Sequence, residues 1–157
     1  MLTILFVCTG NTCRSPMAQA LFKKELAENQ LPFTVNALSA GLTVFPGDRA
    51  TDPVRQLLGE ESIDLSNHYA TGINRVMIDD ADLILVMTAD QRSQLVSRFP
   101  DAENKTYLLK EYAGETQAGS NIEDPLGGDL EKYQFVLEEI RTSIKKIIFK
   151  LKGGRRE

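Results

Sequence analysis

The residues of this chain best equipped for chemistry stand in two short stretches. The first is CTGNTCRS, residues 8–15, where the Cys8 thiol and the Arg14 guanidinium lie six positions apart around small or polar side chains. A thiolate is a strong nucleophile, and an arginine fork offers paired N–H donors to two oxygens of one anion. The N–H groups of Thr9, Gly10, Asn11, Thr12 and Cys13 can turn inward as a nest. A helix beginning directly afterwards adds the partial positive charge of its own unpaired N–H groups. Such a loop cradles a phosphate-sized oxyanion over a nucleophile, and in-line attack at phosphorus would give a phosphocysteine. The second stretch is NIEDPLGG, residues 121–128, where Pro125 holds Asp124 in a glycine-rich loop. Asp124 is the candidate acid that protonates the departing oxygen or nitrogen, and then the base that activates water against the intermediate.

Other readings of the first stretch are weaker. It is not a Walker loop, since the lysine and the second glycine are missing. Cys8, Cys13 and the chain's single histidine, His68, fall short of a four-ligand metal site, so no metal and no cofactor are expected. A buried structural thiol is the usual fate of a lone cysteine. What lifts Cys8 above that fate is its register with Gly10, Arg14, Ser15 and a helix start. Cys13 leaves two alternatives open: a reversible disulfide with Cys8 on oxidation, or a small apolar filler whose N–H lines the cradle.

These residues need elements to hold them. Residues 2–7, LTILFV, form a continuous apolar run of strand length, the pattern of a strand buried on both faces. Ser15-Pro16 reads as N-cap and first helical residue of a helix to about residue 28, with Met17, Ala20, Leu21 and Leu26 as its apolar stripe. Strands are predicted over 32–40, 82–88 and 105–111. Helices are predicted over 51–61 with Thr51 as cap, over 71–81, after a Thr88 cap, and over 129–152. In the last of these Tyr133, Val136, Leu137, Ile140, Ile144, Ile147 and Ile148 recur at helical spacing. Residues 112–128 read as loop. Alternating strands and helices predict an α/β fold of three layers, a four-stranded parallel sheet with helices on both faces. Ligands bind such sheets beyond the carboxyl ends of the strands, which is where Cys8 falls.

Size and charge narrow the partners. The 157 residues suit a single domain, here set at 1–152, with 153–157 as a flexible tail. A formal charge of −4 argues against a general nucleic-acid binder. No apolar run has transmembrane length and the first strand carries no signal-peptide pattern. Two cysteines five apart make no disulfide framework, so a reduced, cytoplasmic, monomeric protein without nucleic-acid or membrane partners is expected.

Cys8–x5–Arg14–Ser15, the SAG of residues 39–41, the LSNH of 65–68 and the late Asp124-Pro125 pair together resemble the low-molecular-weight protein tyrosine phosphatase family. The landmarks follow the family's order along nearly the whole chain. The resemblance implies the four-stranded parallel sheet and a metal-free, two-step phosphatase acting on phosphorylated proteins. It makes Cys8 the nucleophile, Arg14 the transition-state clamp and Asp124 the general acid. Ser15 is implied to donate to the Cys8 thiolate, and Asn11 to hold the loop's shape with support from Ser39 and His68. His68 is therefore expected to be structural, the ordinary role of a lone histidine.

Two departures bear on substrate. Tyrosine-directed members commonly follow the Asp-Pro pair with aromatic residues, whereas this chain has Leu126, Gly127 and Gly128. Thr12 stands where those members usually carry an aliphatic residue. CTGNTCRSPMA with DPLGG resembles the branch that removes phosphate from arginine side chains, so phosphoarginine is the expected substrate and phosphotyrosine the alternative. A Thr12 hydroxyl can meet a guanidinium N–H with Asp124 opposite the cation. The other reading of Thr12 is a neutral variant on the loop rim. Phe45 and Tyr69 are candidates for sensing substrate context. Two rivals are an arsenate reductase, which needs relay cysteines this chain lacks, and a non-catalytic phosphoprotein reader, which has no use for Asp124.

Overall fold

The computed structural model describes residues 1–115 and 119–153. Its elements alternate as the apolar runs demand: β1 (Leu2–Cys8), α1 (Arg14–Glu28), β2 (Val35–Gly41), α2 (Asp52–Gly59), α3 (Arg75–Asp80), β3 (Leu83–Val86) and α4 (Ala89–Arg98). A 3-10 turn over Pro100–Lys105 leads into β4 (Thr106–Leu108), the short α5 (Leu109–Tyr112) and the long α6 (Leu130–Leu151). The four strands make one sheet in the order β2-β1-β3-β4, every neighbouring pair parallel.

Period-two alternation along β1 divides the core. Ile4 and Phe6 point to the side covered by α1, α2 and α6, where Met17, Leu21, Phe22, Leu58, Ile140 and Ile144 close over them. Leu5 and Val7 point to the other side, among Ile78, Ile84, Val86 and Leu95 of α3, β3 and α4. Residues Ile4 to Val7 have no solvent exposure, which explains a run with no polar interruption. The order of the strands puts a switch point beside the end of β1. The chain leaves β1 for β2 on one side, and β3 flanks β1 on the other. In open parallel sheets such a switch point is where ligands bind.

The elements depart from the sequence expectations at their ends. The helix expected to begin at Pro16 with Ser15 as N-cap begins two residues earlier, at Arg14 with Cys13 in the N-cap position, and no side chain caps it. The Ser15 hydroxyl is engaged by Asn11 and Cys8 instead. Thr51 is the N-cap residue of α2 but makes no side-chain cap bond; its hydroxyl lies 3.5 Å from Cys13 Sγ. Thr88 caps α4 as expected, in a reciprocal box with Gln91. The second strand starts at Val35 rather than 32, since Pro32 has no N–H for a ladder. The strand expected over 105–111 stops at Leu108 and turns into α5. The third strand is four residues long, Leu83–Val86, and α2 ends at Gly59. Apart from Gly153, the tail set at 153–157 lies outside the described residues.

Candidate active site

Cys8 closes β1 with its Sγ almost buried, at 3% residue exposure. Its register partner on β2 is Gly41. From there the chain wraps around to the first turn of α1, and three sides of the molecule brace the wrap. Main-chain bonds run from Leu42 N to Cys8 O at 3.0 Å, from Thr43 N to Thr9 O at 2.9 Å, and from Thr51 N to Thr12 O at 3.0 Å. Gly41 is required by this approach. A Cβ there would stand 2.8 Å from Thr9 O and 3.0 Å from Asn11 N. The glycine of SAG is therefore the space into which the loop settles.

Asn11 turns the loop. It is fully buried and holds φ at +59°, a left-handed conformation that asparagine tolerates better than most residues. Its Nδ2 donates to Ser15 Oγ at 2.8 Å and to Ser39 Oγ at 3.1 Å. Its Oδ1 accepts from Thr71 N at 2.9 Å. His68 Nε2 lies 2.8 Å from Asn11 O; a carbonyl only accepts, so Nε2 is the donor there. Ser39 passes the chain on to Gln19 Oε1 at 2.7 Å.

This network decides where the Ser15 proton goes. With Asn11 donating into Ser15 Oγ, the one hydroxyl proton remains for Cys8 Sγ at 3.0 Å or Ala40 O at 3.4 Å. Ser15 N also donates to Cys8 Sγ, at 3.4 Å. Both donors converge on the one sulfur.

Arg14 is buried beside it, at 4% exposure. One terminal nitrogen donates to Ile122 O at 2.7 Å; the other lies 3.6 Å from Asp124 Oδ2. Its Nε is buried and has no partner in the structure. A buried charged donor without an acceptor is costly, and an anion in the cradle removes that cost. The side of the fork carrying Nε is thus free for a ligand. Asp124 comes from the distant loop, with its side chain about half exposed at 46%. Its other oxygen accepts from Leu126 N at 3.0 Å, folding DPLGG into a tight turn. Gly127 sits at φ +86° in that turn, and a Cβ on Gly128 would meet Pro125 O at 3.0 Å. Sequence reasoning took these two glycines only as a missing aromatic wall; the turn itself requires them.

Cys13 faces away from this chemistry. Its Sγ lies 3.5 Å from Thr51 Oγ1 and 3.9 Å from the Tyr133 hydroxyl, and burial pushes its thiol pKa up. Both cysteines are free. Thr12 is half-buried at the rim, its hydroxyl 3.9 Å from Cys13 Sγ. Phe45 and Tyr69 are exposed at 69% and 56%, with the Arg49 guanidinium stacked over Tyr69. Two contributors escaped the sequence. Ile122 acts through its carbonyl, which no side-chain pattern reveals. Gln91 was legible as the third residue after the Thr88 cap, yet its Nε2 also donates to Thr9 Oγ1 at 3.1 Å, across 82 positions. Among the described residues, no group of three or more histidine, cysteine or acidic side chains is placed to hold a metal ion. No described helix is long and apolar enough to cross a membrane.

Known proteins share this arrangement. The chain is 38% identical to the protein-arginine-phosphatase of Bacillus subtilis over 153 residues, covering 98% of this chain and 99% of that one. It is 40% identical over 148 residues to the protein-arginine-phosphatase of Geobacillus stearothermophilus, covering 94% and 95%. A solved arginine phosphatase with a cysteine-to-serine substitution and a phosphorylated active-site serine superposes with a TM-score of 0.90 at 36% identity, covering 99% of both chains. The low molecular weight phosphotyrosine protein phosphatase model matches residues 3–156, and the chain belongs to that family.

Proposed function

We propose that this chain is a protein phosphatase that removes phosphate from arginine side chains of phosphorylated proteins, through a phosphocysteine on Cys8. In the first step the Cys8 thiolate attacks phosphorus while the P–N bond breaks. Asp124 gives its proton to the departing nitrogen, so arginine leaves as a guanidinium. In the second step Asp124 takes a proton from water, the resulting hydroxide attacks phosphorus, the P–S bond breaks, and phosphate and the thiolate are released. Arg14 and main-chain N–H groups of the loop carry the charge that builds on the equatorial oxygens. Ser15 hydrogen-bonds the sulfur as it attacks and as it leaves.

The observation that carries the phosphatase reading is the buried, partnerless Arg14 Nε in a side chain that also reaches Asp124. A cation kept dry beside a nucleophile and an acid suits a doubly charged phosphoryl group. The arginine reading rests on Thr12, whose hydroxyl meets only a sulfur at 3.9 Å among its described contacts and so has capacity for a guanidinium N–H. It rests equally on the wall after Asp124, where exposed Leu126 and two glycines offer no ring to stack on a phenol. The high identity to two arginine phosphatases supports the same substrate.

The test is a pair of peptides of one sequence, carrying phosphoarginine or phosphotyrosine, assayed with wild type and Thr12→Ile. Wild type is expected to prefer phosphoarginine. Thr12→Ile should lower that preference by about tenfold to a hundredfold, the worth of one hydrogen bond to a charged group. Preference for phosphotyrosine in wild type, unchanged by the substitution, would end the arginine assignment.

A further inference from the structure

The loop that cradles the anion is braced unequally. Its β2 side is held by Leu42, Thr43, Thr71 and Ser39, and its far end by Thr51 and His68. On the β3 side the described structure provides one side-chain brace, Gln91, which is 97% removed from solvent. Gln91 Oε1 accepts two main-chain N–H groups at the end of β3, from Met87 at 2.9 Å and Thr88 at 3.2 Å. Those two donors fix the amide's orientation, since a flipped amide would set donor against donor. Nε2 must then face Thr9, and it donates to Thr9 Oγ1 at 3.1 Å. Thr9 is the exposed residue next to the nucleophile, followed by Gly10, the least restrained link of the loop.

We propose that Gln91 is a positioning residue for the anion cradle: it ties the Thr9 end of the loop to the turn between β3 and α4 and keeps the first inward N–H groups aimed at the ligand. It touches no reacting atom. The inference deepens the phosphatase reading and rests on that cradle binding a phosphoryl group. Capping α4 and bracing Thr9 are two separate jobs of one side chain. A glutamate at residue 91 would still complete the cap with Thr88, and its second oxygen would accept from the Thr9 hydroxyl, so both jobs survive with the polarity of the tie reversed. A methionine there would lose both, without adding charge.

The experiment is a double-mutant cycle on the full chain between Thr9→Val and Gln91→Met, with Gln91→Glu as a second variant able to fold through its intact cap. For each protein the inhibition constant of orthovanadate, kcat and KM on an aryl phosphate, and the thermal midpoint are measured. Thr9→Val and Gln91→Met should each weaken vanadate binding about fivefold, the net worth of one hydrogen bond. The double variant should be no weaker than Gln91→Met alone, because both changes break the same tie. Gln91→Glu keeps the cap and a tie to Thr9 but adds a charge beside the cradle, so its vanadate constant is read only against its own Thr9→Val derivative. Adding Thr9→Val to it should cost about what Thr9→Val costs in wild type, whereas adding Thr9→Val to Gln91→Met should cost nothing.

A purely structural role would lower the thermal midpoint of Gln91→Met and leave the vanadate constant of Thr9→Val at the wild-type value. That result, or simple additivity in the cycle, overturns the proposal. Failure of the phosphatase reading looks different, as wild type itself would neither hydrolyse the aryl phosphate nor bind vanadate.

Discussion

Replacing Asn11 tests whether the cradle's shape depends on one side chain. The residue is fully buried and makes three side-chain hydrogen bonds, to Ser15 Oγ, Ser39 Oγ and Thr71 N, at 2.8, 3.1 and 2.9 Å. Each is worth about 1 kcal/mol net, so deleting them costs about 3 kcal/mol. Alanine would also have to hold φ near +59°, which costs an L residue a further ~1–2 kcal/mol. Asn11→Ala should therefore lose about 4–5 kcal/mol of unfolding free energy. Asn11→Gly escapes the second cost but has a more flexible unfolded chain, and should be more stable than the alanine variant by about 1 kcal/mol. Urea unfolding of both, with slopes checked against wild type, reads these values. In both variants kcat on an aryl phosphate should fall about tenfold or more, since Ser15 loses the donor that turns its proton toward Cys8. A loss below about 1 kcal/mol for Asn11→Ala, or alanine equal to glycine, would refute the account of Asn11 as the loop's hinge.

Four further outcomes follow from the same geometry. Cys8→Ser should abolish turnover while vanadate or phosphate still binds, measured by calorimetry; persistent hydrolysis would contradict the thiolate role. Asp124→Asn should lower kcat by about 10²–10⁴ with the nucleophile intact, and a burst of leaving group ahead of slow turnover would place the remaining barrier in hydrolysis of the phosphocysteine. Glu61 accepts from Arg141 and Lys24, and the Arg141 hydrogen bond chiefly holds its carboxyl below the usual range. A depressed folded-state pKa adds stability above the unfolded value that is lost as pH falls through the folded one, so Glu61→Gln should be destabilising near pH 7 and approach wild type in thermal melts only as the pH falls below Glu61's lowered folded-state pKa. If Cys13 protects Cys8 by pairing with it, peroxide followed by reductant should restore more activity in wild type than in Cys13→Ala; equal recovery would leave Cys13 as a filler packed on Tyr133 and Thr51.

Much of this protein could be read along the chain, for a physical reason. A strand buried on both faces must be apolar without interruption, so residues 2–7 announced β1 and the parallel sheet around it. Cys8, Arg14 and Ser15 sit within one loop and one helical turn, and local chemistry at that range is legible as spacing. The helix starts two residues before the position that Ser15, read as a cap, predicts. A hydroxyl's partner is chosen among everything near it in space, and here the winners were Asn11 and Cys8. Likewise β4 was drawn too long, since Leu109 is as apolar as a strand residue but turns into α5 to reach the core.

The tertiary structure alone decided the remainder. That Arg14 leaves its Nε unpaired while meeting Ile122 and Asp124, that Gly41 is the space under Thr9 and Asn11, and that Gln91 reaches Thr9 from another crossover all depend on which elements the sheet order brings together. Hydrogen-bond partners 30 to 110 positions apart leave no periodic trace in a sequence. They are fixed only when burial forces each polar group to find its complement.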